Sequence, residues 1–387
     1  MIKTTKSLNE LQTALAADFI TDKKPLRDYA GFEAGSIVAG QMRQTFSLTL
    51  SAKAVQEIKD QIGVLYQQLI AACWRSGEPL PFDMIRFDAF LDSESNEIKI
   101  IELNTRNVGM HEIVEWLDDV VGVRTSSTKQ FSLNRRFAQN QKLLHANLFG
   151  ANTPLLYLSA LAIPRWLYYE ALADEYSSVD FAGDPKSVAT IDTGVVFDSK
   201  LYQAVARKYA WPSTPELVAL DDANVIRVLQ PLSMRKFGHK SYLQELTSPT
   251  LLGSETFTAA NLEQYIENQD KLVLKVIDSG NSKSVYLGGS CSADEWQSYL
   301  NVAAEKPHRW ILQDYIAPSN HLIIMHGGKP QEARIQLGVF VLPKVDAPNE
   351  FDIDIAVKAY VGDQQQFTFD PSGLNPDIWF GHVVELG

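Results

Sequence analysis

Residues 84–104 read MIRFDAFLDSESNEIKIIELN, and no other stretch limits the fold as tightly. Arg86 and Asp88 stand two apart in one run, Glu102 and Asn104 stand two apart in the next, and a polar SESNE separates them. Side chains two apart on a strand share a face, so the pattern predicts an antiparallel strand pair. Phe87, Ile101 and Leu103 then form its apolar side. In a register that opposes even-numbered residues, one guanidinium, two carboxylates and one amide face the same way. That set suits Mg²⁺ held against phosphates, because Mg²⁺ takes hard oxygen ligands and completes its shell with substrate oxygens. The pattern equally describes a half-exposed strand carrying a surface Arg–Asp pair.

Elsewhere the periodicity predicts an amphipathic helix over 51–75, capped by Ser51, with Val55, Ile58, Ile62, Leu65, Leu69 and Cys73 on one face. Gly77 and Pro79 should end it. From about 153 to 230, apolar runs (LLYLSALAI, SVATI, ELVAL, VIRVL) alternate with stretches read as helical, such as LYQAVARKYAW, which indicates an α/β unit. KSYLQEL reads as helical and KLVLKVI as a strand entering a small-residue loop; WILQDYI and ARIQLGVFVL read as buried strands. The fold class expected is α/β (α+β), an antiparallel sheet with a separate α/β lobe, and 387 residues leave room for two or three domains.

Lys275 lies inside the apolar run KLVLKVI. An ammonium on a buried strand calls for an anion, and the amides of the following DSGN loop could fold over phosphates. The loop has a single glycine and matches neither standard phosphate-loop pattern, and a lysine snorkelling at a strand end fits as well. WILQDYIAP could offer backbone groups to an adenine edge, or be an ordinary core strand. The net charge of −12 argues against a nucleic-acid partner, although a few placed cations can still hold a small anion. Two distant cysteines, Cys73 and Cys291, give no metal spacing and make a reducing cytoplasm the default compartment. The N-terminal stretch has no long apolar run, which argues against a signal peptide, and no segment reaches the length of a membrane helix. No HxxH, HxH or GxSxG occurs, so neither a zinc site nor a nucleophilic serine is expected.

Taken in order, five segments resemble the eukaryotic-type glutathione synthetases and the bacterial glutathionylspermidine synthetases. RFDAFLDSESNEIKIIELNT is similar to the family's Arg-x-Asp and Glu-x-Asn-Thr strands, and KSYLQELTSPTLL to the start of its ATP-binding lobe. LVLKVIDSGNSKSVYLG is similar to its lysine strand and phosphate loop, WILQDYI to its adenine hinge, and ARIQLGVFVL to the strand that follows. Metal ligands precede ATP lysines, which is the circularly permuted order of the ATP-grasp fold. The resemblance implies domains at 1–150 and 311–387 (the two parts of the core), 151–230 (a substrate lobe) and 231–310 (an ATP-binding lid). It implies ATP and Mg²⁺ as cofactors. Glu102 and Asn104 would hold the metal, with Asp278 the nearest donor for a third ligand. Lys240 and Lys275 would contact phosphates, assisted by the loop residues Ser279, Gly280 and Asn281. Gln313, Asp314, Tyr315 and Ile316 would take adenine through their backbone. Gln336 stands where the family has a ribose-side Glu, Lys358 lies near a C-terminal cation, and Arg86, beside Asp88, would steady the reacting carboxylate or the acyl-phosphate.

Departures from the family bear on substrate. Its Tyr-x-Arg-x-Gly-Tyr substrate motif has no counterpart at IDTGVVFDSKLY, the phosphate loop is poor in glycine, and TRNVGMHE follows Asn104. These argue against glutathione synthesis and for ligation of another carboxylate and amine. Arg106, two residues past Asn104, is the candidate grip for a substrate carboxylate, or else the partner of Glu112 or Glu115. The expected chemistry is an amide or peptide bond formed through an acyl-phosphate, with small-molecule partners only, no membrane, and a homodimer left open. An ATP-grasp phosphotransferase and a non-catalytic nucleotide-binding protein are the alternatives.

Overall fold

The computed structural model describes residues 45–75, 80–91, 97–105, 133–150, 152–159, 179–182, 184–208, 214–229, 232–278, 284–317, 322–326, 329–344, 347–361 and 378–386. Along the chain, β1 (Thr45–Ser51) leads into α1 (Ala52–Cys73), then β2 (Ile85–Leu91) and β3 (Ile98–Asn104). After α2 (Leu133–Phe149) come β4 (Leu155–Ser159), β5 (Val179–Ala182), β6 (Val188–Ile191), β7 (Gly194–Phe197), β8 (Lys200–Tyr202), β9 (Ala204–Lys208), α3 (Pro215–Asp222) and β10 (Arg227–Leu229). A third group holds β11 (Ser254–Thr256), α4 (Leu262–Glu267), β12 (Leu272–Val276), β13 (Val285–Leu287), α5 (Ala293–Glu305) and β14 (Trp310–Asp314). The chain closes on β15 (Leu322–His326), β16 (Lys329–Lys344), β17 (Ala347–Val361) and β18 (Ile378–Leu386).

A seven-stranded sheet runs in the order β1-β18-β17-β16-β2-β3, with β15 also on β16; every neighbouring pair is antiparallel except β1 with β18. Its two faces differ because the strands alternate. Ile335, Leu337, Val339 and Val341 of β16 are buried, and Val339 lies opposite Phe87 of β2. The same face takes α1, whose buried Ile58, Ile62, Leu65 and Leu69 recur at helical spacing. Tyr66 of α1 packs on Phe351 of β17 at 4.8 Å between ring centres. Each such apolar side chain contributes ~1.5–3 kcal/mol on burial. The opposite face carries polar groups and forms one wall of the site.

Two smaller units stand in the long interval between β3 and β15. One is an all-parallel sheet, β10-β9-β4-β5, with the antiparallel ribbon β6-β7-β8 beside it. LYQAVARKYAW, read above as helical, is instead the strands β8 and β9 as far as Lys208. Ala204, Val205 and Ala206 are all buried between β4 and β10, and covering both faces of a parallel strand outweighs alanine's preference for helix. ELVAL lies in α3, not in a strand, because Thr214 caps Leu217 N–H and Pro215 opens the first turn. The other unit is the antiparallel sheet β11-β14-β12-β13, backed by α5, which Ser292 and Glu295 start with a reciprocal capping box. KSYLQEL is a 3-10 stretch, Lys240–Glu245. The segment after it binds the outer edge of β3: Ile100 N–H donates to Thr250 C=O at 2.7 Å. No helix among the described residues is long and apolar enough to cross a membrane.

Candidate functional site

The register of β2 on β3 opposes Arg86 to Asn104 and Asp88 to Glu102, then shifts, so that Ala89 meets Ile100 and Ile101 is the extra residue of a bulge. All four polar side chains therefore project from one face. They form a network: Arg86 Nε donates to Asp88 Oδ1 at 2.7 Å and Nη2 to Oδ2 at 2.9 Å, a two-point grip on a carboxylate that is itself buried. Asn104 Nδ2 adds a third bond to Asp88 Oδ2 at 3.2 Å, which leaves Asn104 Oδ1 as the amide's acceptor. Asp88 is thus held by Arg86 and Asn104 together.

Gly338 makes room for this arrangement. It sits opposite Asp88 on the next strand, and a Cβ there would come 3.2 Å from Arg86 Cδ and 3.7 Å from Asp88 Oδ1. Without a side chain at 338, Arg86 lies flat across β16.

The lysines come from other elements. Lys240, at the head of the 3-10 stretch, is 6% exposed and places Nζ 3.6 Å from Glu102 Oε1. Lys275, in the middle of β12, is 7% exposed and donates to Gln313 Oε1 of β14. Burial of the ammonium pushes Lys275 down to about 8; Glu102 and Asp88 pull it back up and Lys240 pushes it further down. Lys358 of β17, opposite Gln336, is half-buried and likewise held at about 8, by desolvation first and then by the Arg86 charge. Four cations (Arg86, Lys240, Lys275, Lys358) therefore surround two carboxylates (Asp88, Glu102) on a chain whose overall charge is −12. Among the described residues this places two buried and two half-buried cations together, an arrangement chemically suited to a polyanion.

The remaining expected residues divide. Gln336 is buried on β16 between Phe90 of β2 and Lys358. Asp278, at the end of the strand that carries Lys275, lies 3.7 Å from His239 Nε2. The N–H groups of Asp314 and Tyr315 already donate to Gly253 C=O at 2.8 Å and Lys271 C=O at 2.7 Å. An adenine edge would have to be met by their carbonyls and by Ile316. Ser279, Gly280, Asn281 and Arg106, with its rival partners Glu112 and Glu115, lie outside the described residues. Among the described residues no group of three or more His, Cys, Asp or Glu is placed to hold a metal by itself.

The sequence reading passed over Arg207. It is 4% exposed near the C-terminal end of β9, facing Leu158 of β4 in the register of the parallel sheet. Strand order reverses there, since β5 flanks β4 on one side and β9 on the other, which is the place where open parallel sheets bind ligands. The signal was the cation pair closing AVARK, masked by reading that stretch as a helix.

The sequence matches no protein-family model and no curated protein at a significant level. A glutathione synthetase-like effector from Globodera pallida, solved in its apo form, superposes with a TM-score of 0.54 at 12% identity, covering 88% of this chain and 89% of that one. The fold is that of a glutathione synthetase-like protein. The resemblance carried by the five sequence segments therefore holds at the level of fold, a mixed α/β architecture built on antiparallel sheets. D-alanyl-alanine synthetase A from Vibrio cholerae overlaps more loosely, with a TM-score of 0.31 and 11% identity over 60% of this chain and 88% of that one, too loose to argue from.

Proposed function

We propose that the chain is an ATP-dependent ligase of the circularly permuted ATP-grasp type, joining a carboxylate to an amine. The observation that carries this reading is the gathering of Arg86, Lys240, Lys275 and Lys358 around Glu102 and Asp88, from two sheets and the 3-10 stretch Lys240–Glu245. Lys240 and Lys275 neutralise phosphate oxygens, and residues 231–310 act as the lid. Lys358 answers the same charge from β17. Arg86, fixed by Asp88, steadies the reacting carboxylate with its charge. That carboxylate attacks the γ-phosphorus, ADP departs, and the amine then displaces phosphate from the acyl-phosphate and loses a proton. No covalent protein intermediate is required; positioning and charge do the catalysis.

The donor set fits Mg²⁺. Glu102 and Asn104 offer a carboxylate and an amide oxygen two residues apart, hard ligands that leave most of an octahedral shell to phosphate and water. When bound, the ion would neutralise charge that builds on the phosphates. Asp278 is the candidate for a third oxygen ligand.

Two cationic residues are assigned to the substrate carboxylates, Arg106, two positions after Asn104 in the sequence, and Arg207 at the end of β9. Arg207 restores a partner that the sequence lacked at IDTGVVFDSKLY. The test is ADP release from MgATP in the presence of paired pools of amino acids, peptides and polyamines, with product detected by mass spectrometry. ADP formed only when a carboxylate and an amine are both present supports the ligase. A stable phosphorylated product without an amine selects the phosphotransferase, and nucleotide binding without turnover over every pool selects the non-catalytic reading.

A further inference from the structure

We infer that Gln313 is a positioning residue that ties the Lys275 strand to the Glu102 strand, so that one buried amide sets how the two halves of the site face each other. The inference rests on the nucleotide reading above and adds a residue to it. Sequence reasoning gave position 313 only a backbone role. The structure buries its side chain to 2% exposure and uses both ends of the amide. Oε1 accepts from Lys275 Nζ within the β12–β14 sheet. Nε2 reaches out of that sheet, 3.4 Å to Ile101 C=O.

Ile101 is the bulged residue of β3, and Glu102 is its neighbour. A bulge lifts one carbonyl out of the ladder, where a part-buried acceptor left alone loses a hydrogen bond. Gln313 supplies its donor. The consequence runs both ways along the side chain, because a shift of β12 that moves Lys275 also pulls on the carbonyl next to Glu102.

The amide is chemically apt for this place. Val273, Lys275, Ile311 and Gln313 share the site-facing side of the sheet, while Leu274 and Leu312 face its core with Trp296. A neutral acceptor satisfies one proton of the Lys275 ammonium and leaves its charge available to a phosphate. A carboxylate at 313 would cancel that charge. An apolar side chain of the same length would leave both Lys275 and Ile101 C=O without this partner.

The test uses the full chain and four proteins: unaltered, Gln313→Met, Lys275→Met and the double variant. In urea unfolding of the nucleotide-free proteins, the double variant should depart from the product of the single effects by about threefold or more in unfolding constant. Independent effects overturn the link to Lys275. Amide exchange over residues 98–104 should quicken in Gln313→Met and stay near the unaltered rate in Lys275→Met. Equal protection in Gln313→Met overturns the link to Ile101. MgATP should bind about tenfold or more weakly to Gln313→Met, and more weakly still to Gln313→Glu, since a hydrogen bond to a charged group is worth roughly that factor. A Gln313→Met protein that binds MgATP as the unaltered one does removes the positioning role. Failure of the unaltered protein to bind MgATP would count against the nucleotide reading alone; the unfolding cycle and the exchange rates still decide the coupling.

Discussion

Replacing Lys275 by Met gives a stability change whose dependence on pH can be worked from the structure. The lysine is 7% exposed and held at about 8 against an ordinary 10.5. Burial lowers it, so between those two values the unfolded chain binds more protons than the folded one, and stability rises with pH. At pH 7 both states are protonated and the buried ammonium costs the folded state ~3 kcal/mol; by pH 10 that cost falls below about 1 kcal/mol. Methionine carries no charge and no such penalty, but it leaves Gln313 Oε1 without its ammonium, a roughly constant loss of ~1–3 kcal/mol. The expected result is therefore a difference that opens as pH rises. Lys275→Met is about as stable as the unaltered protein at pH 7 and loses ~2 kcal/mol relative to it by pH 10. Lys358, also held at about 8, titrates in both proteins and cancels in the difference. Urea unfolding at pH 7, 8, 9 and 10 measures it. A difference that stays flat across that range would mean that Lys275 is not a desolvated ammonium, and the electrostatic account of the site would fail.

Other substitutions test other parts. Glu102→Gln should abolish ADP release; turnover near that of the unaltered protein removes it from the metal site. Asp88→Ala removes the buried carboxylate that Arg86 and Asn104 both hold, and should cost ~3–5 kcal/mol in chemical unfolding; a loss under about 1 kcal/mol contradicts the network. Gly338→Val should displace Arg86, lowering turnover more than nucleotide affinity; calorimetric titration and ADP release separate the two. MgATP binding should take up protons near pH 8.5, as Lys275 and Lys358 regain charge beside phosphate; binding heats that do not vary with the buffer's ionisation enthalpy would argue against it.

How far the sequence could be read depended on whether local pattern and tertiary context agreed. The two-residue spacing of Arg86, Asp88, Glu102 and Asn104 was legible because strand geometry enforces it, and a register pairing even numbers follows once the hairpin forms. The bulge at Ile101 was not legible, since nothing in IKIIELN marks which residue is squeezed out. Helix α1 could be seen in its period, whereas β9 could not, because AVAR is locally a good helix and only burial on both faces makes it a strand. Lys275 announced itself as a charge in an apolar run. Gln313 did not, because a glutamine near a strand end carries no pattern, and its meaning comes wholly from what lies across the gap. Gly338, in QLGVF, is one small residue in a strand until Arg86 is seen to occupy the space over it.

The partner of β2 along the sheet is β16, with Phe87 opposite Val339. Roughly 250 residues separate them, and three complete smaller sheets are threaded into the interval. Closing so long a loop is slow, and contacts this remote delay the transition state. The local sheets can form while β2 and β3 still wait for β16. During that wait the edge of β2 has no strand to pair with, and the hairpin is the segment most open to mispairing or capture by a chaperone. The refolding rate is thus set by the arrival of a strand that bears none of the proposed metal ligands, and dilution of the refolding mixture should raise the yield more than any change in nucleotide.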